Sequence, residues 1–106
     1  SAAVMGALSG AQIHWMRHLV AWFSSQGLDP QAARTLVAAL VGGNAELLLR
    51  APDSLDTLAE GVTTPGGITE ALVAGLDAAG AMEAWLAGLD RIRDRLAGTR
   101  QGGTAD

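Results

Sequence analysis

"GLDPQAARTLVAALVGGNAELLLR", residues 27–50, decides how the rest of the chain is read. Gly27 ends whatever precedes it, as a glycine beyond a helix C-terminus does. Asp29 then supplies an N-cap, and Pro30 takes the first helical position, where its missing N–H is harmless. From there to about Arg50 apolar and small residues cover most of the circumference and not one stripe. A helix that is apolar all round is buried all round. A chain of 106 residues holds one core and scarcely surrounds a helix of this length, so a partner chain is expected to cover it. Gly42 and Gly43 sit inside the helix, where each costs about 1 kcal/mol relative to alanine. Close approach of another backbone, in a dimer crossing, accounts for them.

Upstream, Trp15, Met16, Leu19, Val20, Trp22 and Phe23 recur at helical spacing and predict a first helix over about 12–26. Downstream, Pro52 stops the second helix, and Asp53 or Ser54 caps a short third one through about Glu60. A fourth helix is expected over about 68–79, with Ile68, Leu72, Val73 and Leu76 on its apolar side, until Gly80 breaks it. A fifth, about 82–96, places Trp85, Leu89, Ile92 and Leu96 on one face. Residues 99–106 read as a polar tail. No alternating β-branched run occurs, so the fold is all-α with about five helices and no internal repeat.

Composition narrows the function classes. The chain has no cysteine, which removes disulfides, thiolate catalysis and cysteine-based metal sites and fits a cytoplasmic protein. Net charge is −4, and all seven basic residues are arginines. A nucleic-acid footprint would be basic and clustered, so no nucleic-acid partner is expected. The apolar runs carry polar or glycine breaks, and none approaches the ~20-residue length of a membrane span, so no membrane role is expected. The opening "SAAVMGALSG" has small apolar residues where a domain edge is usually polar. It reads as a piece cut from a longer protein.

Three candidate sites compete. "HWMRH" places His14 and His18 four apart on one helix face, which is metal-ligand spacing. Trp15 stands where a zinc-protease helix needs glutamate, and no third ligand lies nearby, so ordinary surface histidines are the better reading and no metal is expected. "DRIRDR" collects Arg91, Arg93 and Arg95, but Asp90 and Asp94 interleave them, which makes a solvated face. "VTTPGGITEAL", residues 62–72, is the strongest of the three. As a plain turn it needs only Pro65 and the glycines, with Thr64 or Gly67 as cap. It also fits a small carboxylate. A helix N-terminus offers unpaired N–H groups, Gly66 and Gly67 leave that backbone bare, and Thr64 and Thr69 add hydroxyls on either side.

"VTTPGGIT", 62–69, resembles the V-T-S-P-G-G-x-T signature of pyrroline-5-carboxylate reductases. "ALSG" at 7–10 resembles the start of that family's A-L-S-G-S-G-P-A-Y segment. Residues 27–49 are similar to the Ala/Leu-rich helix that follows, and "LDAAGAMEAWLAGLDRIRDRL" to the last two helices. The resemblance covers 1–98 and implies the C-terminal helical dimerisation and substrate domain. That domain is intertwined, of the type found at the C-terminus of 6-phosphogluconate dehydrogenase.

It further implies reduction of a cyclic imine carboxylate to proline with NADP or NAD cofactors, held by an N-terminal Rossmann domain. No Gly-x-Gly-x-x-Gly occurs here. A homodimer, built up into a larger ring, follows from the same likeness. Thr64 stands where the signature has serine, Pro65, Gly66 and Gly67 match its turn, and Thr69 matches the threonine that meets the substrate's ring nitrogen. Two departures are plain: "AQIHW" replaces the family's S-G-P-A-Y, and Ile68 replaces a small or hydroxyl residue. They leave open a dimerisation module acting on another imine or keto acid, or inactive.

Overall fold

The Gly27 turn forms as its sequence predicts. Gly27 adopts φ 102°, its N–H donates to the Ser24 carbonyl at 3.0 Å, and the Leu28 N–H donates to the Phe23 carbonyl at 3.1 Å. These two bonds are the Schellman closure of a helix. In the computed structural model the backbone of residues 1–101 and the side chains of 1–98 are described. Among them five helices follow one another: α1 (Ala2–Ser25), α2 (Pro30–Arg50), α3 (Leu55–Gly61), α4 (Ile68–Ala78) and α5 (Ala81–Gln101). No strand occurs among the described residues.

Two boundaries differ from the sequence reading. α1 begins at Ala2, about ten residues before the predicted start, and takes in "ALSG" as helix. Ser1 caps it, its Oγ accepting from the Val4 N–H at 3.3 Å, and Ala2, Ala3, Met5, Ala7 and Leu8 are strong helix formers that outweigh Gly6 and Gly10. α5 continues past Leu96 to Gln101, because Ala97, Arg100 and Gln101 favour helix in the same way. The expected polar tail therefore starts as helix, and its last part, 102–106, lies outside the described residues.

The chain divides into two compact units, one of Met5–Pro52 and one of Ser1–Val4 with the residues from Asp53 onward. In the first, Asp29 caps α2: its Oδ2 accepts from the N–H groups of Gln31 and Ala32, both at 3.1 Å. Ala51 ends α2 in extended backbone, as a residue before proline must be. Only Ala33 and Val37 are buried among the described side chains, at 0% and 1% exposure. Leu36, Leu40, Leu47, Leu48 and Leu49 remain exposed, Leu49 at 83%. Beyond the helix's own backbone, nothing among the described residues comes within 4 Å of a Cβ built on Gly42 or Gly43, so the close backbone expected there does not come from those residues.

By length and composition alone α2 is also able to cross a membrane. That overturns the expectation that no segment approaches such a span. The breaks at Gly42, Gly43 and Asn44 interrupt the apolar runs without lowering the average over the helix far enough.

In the second unit Ser54, not Asp53, caps α3, its Oγ accepting from the Thr57 N–H at 3.2 Å. Gly80, at φ 73°, ends α4 and its carbonyl accepts from the Ala84 N–H at 3.0 Å, beginning α5. The two helices pack together with a 49° bend at this joint. Leu89, Ile92 and Leu96 of α5 are half-buried. The predicted apolar side of α4 is largely uncovered, with Ile68 90% and Leu72 65% exposed.

Candidate functional site

Residues 62–72 join α3 to α4, and each step of the join has a local cause. Thr63 closes α3, its N–H donating to the Glu60 carbonyl at 3.2 Å and its Oγ1 to the Ala59 carbonyl at 2.8 Å. The Thr64 carbonyl then accepts from the Gly67 N–H at 2.9 Å across Pro65 and Gly66. Proline fixes the second position of this four-residue turn, and Gly66 takes φ 75° at the third. That pairing is the type II turn, whose third residue must have positive φ.

Gly67 follows as the N-cap of α4, in extended backbone with no side-chain cap. A Cβ placed on it would lie 3.0 Å from the Thr64 carbonyl oxygen and 3.3 Å from the Thr64 Cβ. Both glycines are thus demanded by the turn itself.

What the turn leaves unused is the chemistry. The Gly67 carbonyl accepts the first helical bond, from the Ala71 N–H at 3.2 Å. The N–H groups of Ile68, Thr69 and Glu70 have no acceptor among the described residues, as expected for a helix start. The hydroxyls of Thr64 and Thr69 have no protein partner there either. Thr64, Pro65 and Gly66 are exposed, and Gly67 and Thr69 half-buried. All five predicted residues therefore lie along one short turn, with two hydroxyls and a row of free N–H donors.

Glu70 was absent from the sequence reading of this site. Its Oε1 accepts from the Gly66 N–H at 3.3 Å, laying a carboxylate over the turn. The signal was available: a glutamate three residues after the N-cap is the position from which a side chain reaches back to the turn N–H groups. One resident anion therefore already uses part of the positive end of α4.

The other two candidates resolve differently. Arg93 pairs with Asp90 at 3.4 Å and with Asp94 at 3.2 Å, all three largely exposed, which is the solvated face expected of "DRIRDR". No group of three or more metal-ligating side chains occurs among the described residues. His14 and His18 stand within hydrogen-bonding distance of each other on α1.

With this geometry in hand, comparison with known proteins is informative in one respect. Residues 1–98 match the family described as pyrroline-5-carboxylate reductase dimerisation. No significant match was found among curated proteins or among solved structures. The matched span takes in all five signature positions and the departing "AQIHW" segment alike, so the departures do not remove the chain from the family. Five helices in the described residues, a signature turn at the start of α4 and a match over 1–98 have one meaning: the chain belongs to the pyrroline-5-carboxylate reductase family, as its all-α C-terminal dimerisation domain.

Proposed function

We propose that this domain forms the substrate pocket and dimer interface of an oxidoreductase that reduces a cyclic imine carboxylate to proline. The observation that carries the reading is the start of α4, where free N–H groups and two unpartnered hydroxyls lie together in the family's signature turn. A substrate carboxylate is bound by the N–H groups of Ile68 and Thr69, where the helix carries partial positive charge. The Thr69 hydroxyl meets the ring nitrogen and orients it.

NADPH or NADH supplies the hydride when bound. The chain carries no dinucleotide fingerprint, and family membership supports a cofactor held mainly by an N-terminal Rossmann domain. What these residues contribute is orientation and electrostatics.

The same reading makes α2 the centre of an intertwined homodimer, which builds into larger rings. Its exposed leucines and the open space at Gly42 and Gly43 support that role and give its apolar surface an occupant other than lipid. Proline formation by the full-length protein, assayed with pyrroline-5-carboxylate and each nicotinamide cofactor, tests the activity. Absence of turnover with both cofactors would sink it.

A second reading keeps the dimer and changes the chemistry to another imine or keto acid, or to none. Ile68 favours it, because a bulky apolar side chain 90% exposed stands beside the donors. A panel of imine and keto-acid substrates on the same protein separates the two.

A further inference from the structure

α1 carries a polar cluster that the family's chemistry does not use. His14 and His18 are exposed, their rings 4.6 Å apart between centroids and close to perpendicular at 83°. Their Nε2 atoms are 3.2 Å apart. Nδ1 of His14 is 2.7 Å from the Arg17 guanidinium. A guanidinium only donates, so Nδ1 of His14 accepts, and the proton of the neutral ring sits on Nε2, facing His18.

We propose that His14 and His18 form a two-imidazole chelating site for a borderline divalent transition-metal ion of the Zn²⁺, Ni²⁺ or Cu²⁺ class. The sequence spacing alone did not favour this, for want of a third ligand; the distance between the nitrogens does. Metal–imidazole bonds are about 2.0–2.1 Å long, so two nitrogens 3.2 Å apart subtend an angle of about 100° at a shared ion. That angle suits neighbouring ligands in tetrahedral or square coordination. Both rings are exposed in the single chain, so turning their lone pairs toward one point displaces no group buried within it. Imidazole nitrogen without thiolate selects these ions over soft or hard ones. Water completes the coordination, since no third histidine or carboxylate joins the pair among the described residues.

Arg17 restrains the site. Binding an ion at Nε2 moves the His14 proton to Nδ1, where it would face the guanidinium donor, and the arginine's charge opposes the ion as well. α1 has no acidic residue in its first turn, and none elsewhere along its length, to offset that charge. Removing the guanidinium therefore strengthens binding.

The test titrates the chain with Zn²⁺ by calorimetry and records the electron paramagnetic resonance of the Cu²⁺ form. His14→Gln, His18→Gln and Arg17→Gln are measured alongside, with circular dichroism as the check that these exposed substitutions leave α1 helical. One ion per chain is expected, with two nitrogens in the Cu²⁺ spectrum. Either histidine variant should weaken binding by at least about tenfold, because the second ligand of a chelate acts at high effective concentration. Arg17→Gln should tighten it severalfold. No saturable binding up to about 1 mM Zn²⁺, the weak end of specific affinity, would overturn the proposal. Histidine variants within about twofold of the parent would do the same, since each imidazole would then act alone.

Discussion

At the scale of single residues, the turn before α4 separates positions that shape the backbone from positions that face outward. Thr69 belongs to the second kind: its hydroxyl has no partner among the described residues and its side chain is half-buried. Thr69→Val keeps the β-branched shape and removes one hydrogen bond worth ~1–3 kcal/mol to a polar substrate. In the full-length enzyme kcat/KM should fall about tenfold to a hundredfold with little change in melting temperature. Unchanged kcat/KM would withdraw Thr69 from the site.

Gly66 belongs to the first kind. Gly66→Ala forces a Cβ onto a residue at φ 75° and should lower stability by about 1–2 kcal/mol, seen as a reduced denaturant midpoint. Gly67→Val, by contrast, separates nothing, because its side chain would strike the Thr64 carbonyl before it met any ligand.

Glu70 gives a third test. Its carboxylate shares the turn with the proposed substrate carboxylate, so Glu70→Gln should lower KM for an anionic substrate severalfold while leaving kcat nearly unchanged. A raised KM would mean that the charge helps binding.

At the scale of elements, what the sequence disclosed depended on how local the cause was. The cap of α2 is a one-residue device, Asp29 followed by Pro30, and it was legible. Asp29→Ala should cost about 1 kcal/mol, read as a shift of the urea unfolding midpoint without a change of slope. The breaks at Gly27 and Gly80 were legible for the same reason, since positive φ calls for glycine.

The start of α1 was not, because its cap, Ser1, which accepts from the Val4 N–H, is the first residue of the sequence and marks a helix only together with the summed propensity of Ala2 to Leu8. Glu70 was not legible because a glutamate in a first helical turn is as often solvated as folded back, and only the path of the turn brings the Gly66 N–H to its carboxylate. Which faces end up covered was the least legible property. The apolar sides of α2 and α4 were identified correctly as apolar, but periodicity states only that a face seeks a partner and not which chain provides it.

At the scale of the whole molecule, self-association accounts for that uncovered surface. Leu36, Leu40 and Leu47 of α2 are 46%, 51% and 44% exposed. Leu40→Glu places a charge at one of these half-exposed positions. It should shift the species seen in sedimentation equilibrium at micromolar concentration toward the 10.8 kDa single chain, with the helical circular dichroism falling toward that of dilute parent protein. Parent protein that is itself entirely a 10.8 kDa species would remove the role assigned to α2.

The sparseness of the interior, with Ala33 and Val37 alone fully enclosed among the described residues, has a consequence for how this domain comes into being. So little apolar area leaves water within one copy that the conformational entropy of ordering the helices is met only when a second copy arrives. Folding is then a bimolecular event governed by mass action. Its midpoint on heating rises with the amount of protein present, and dilution acts as a denaturant.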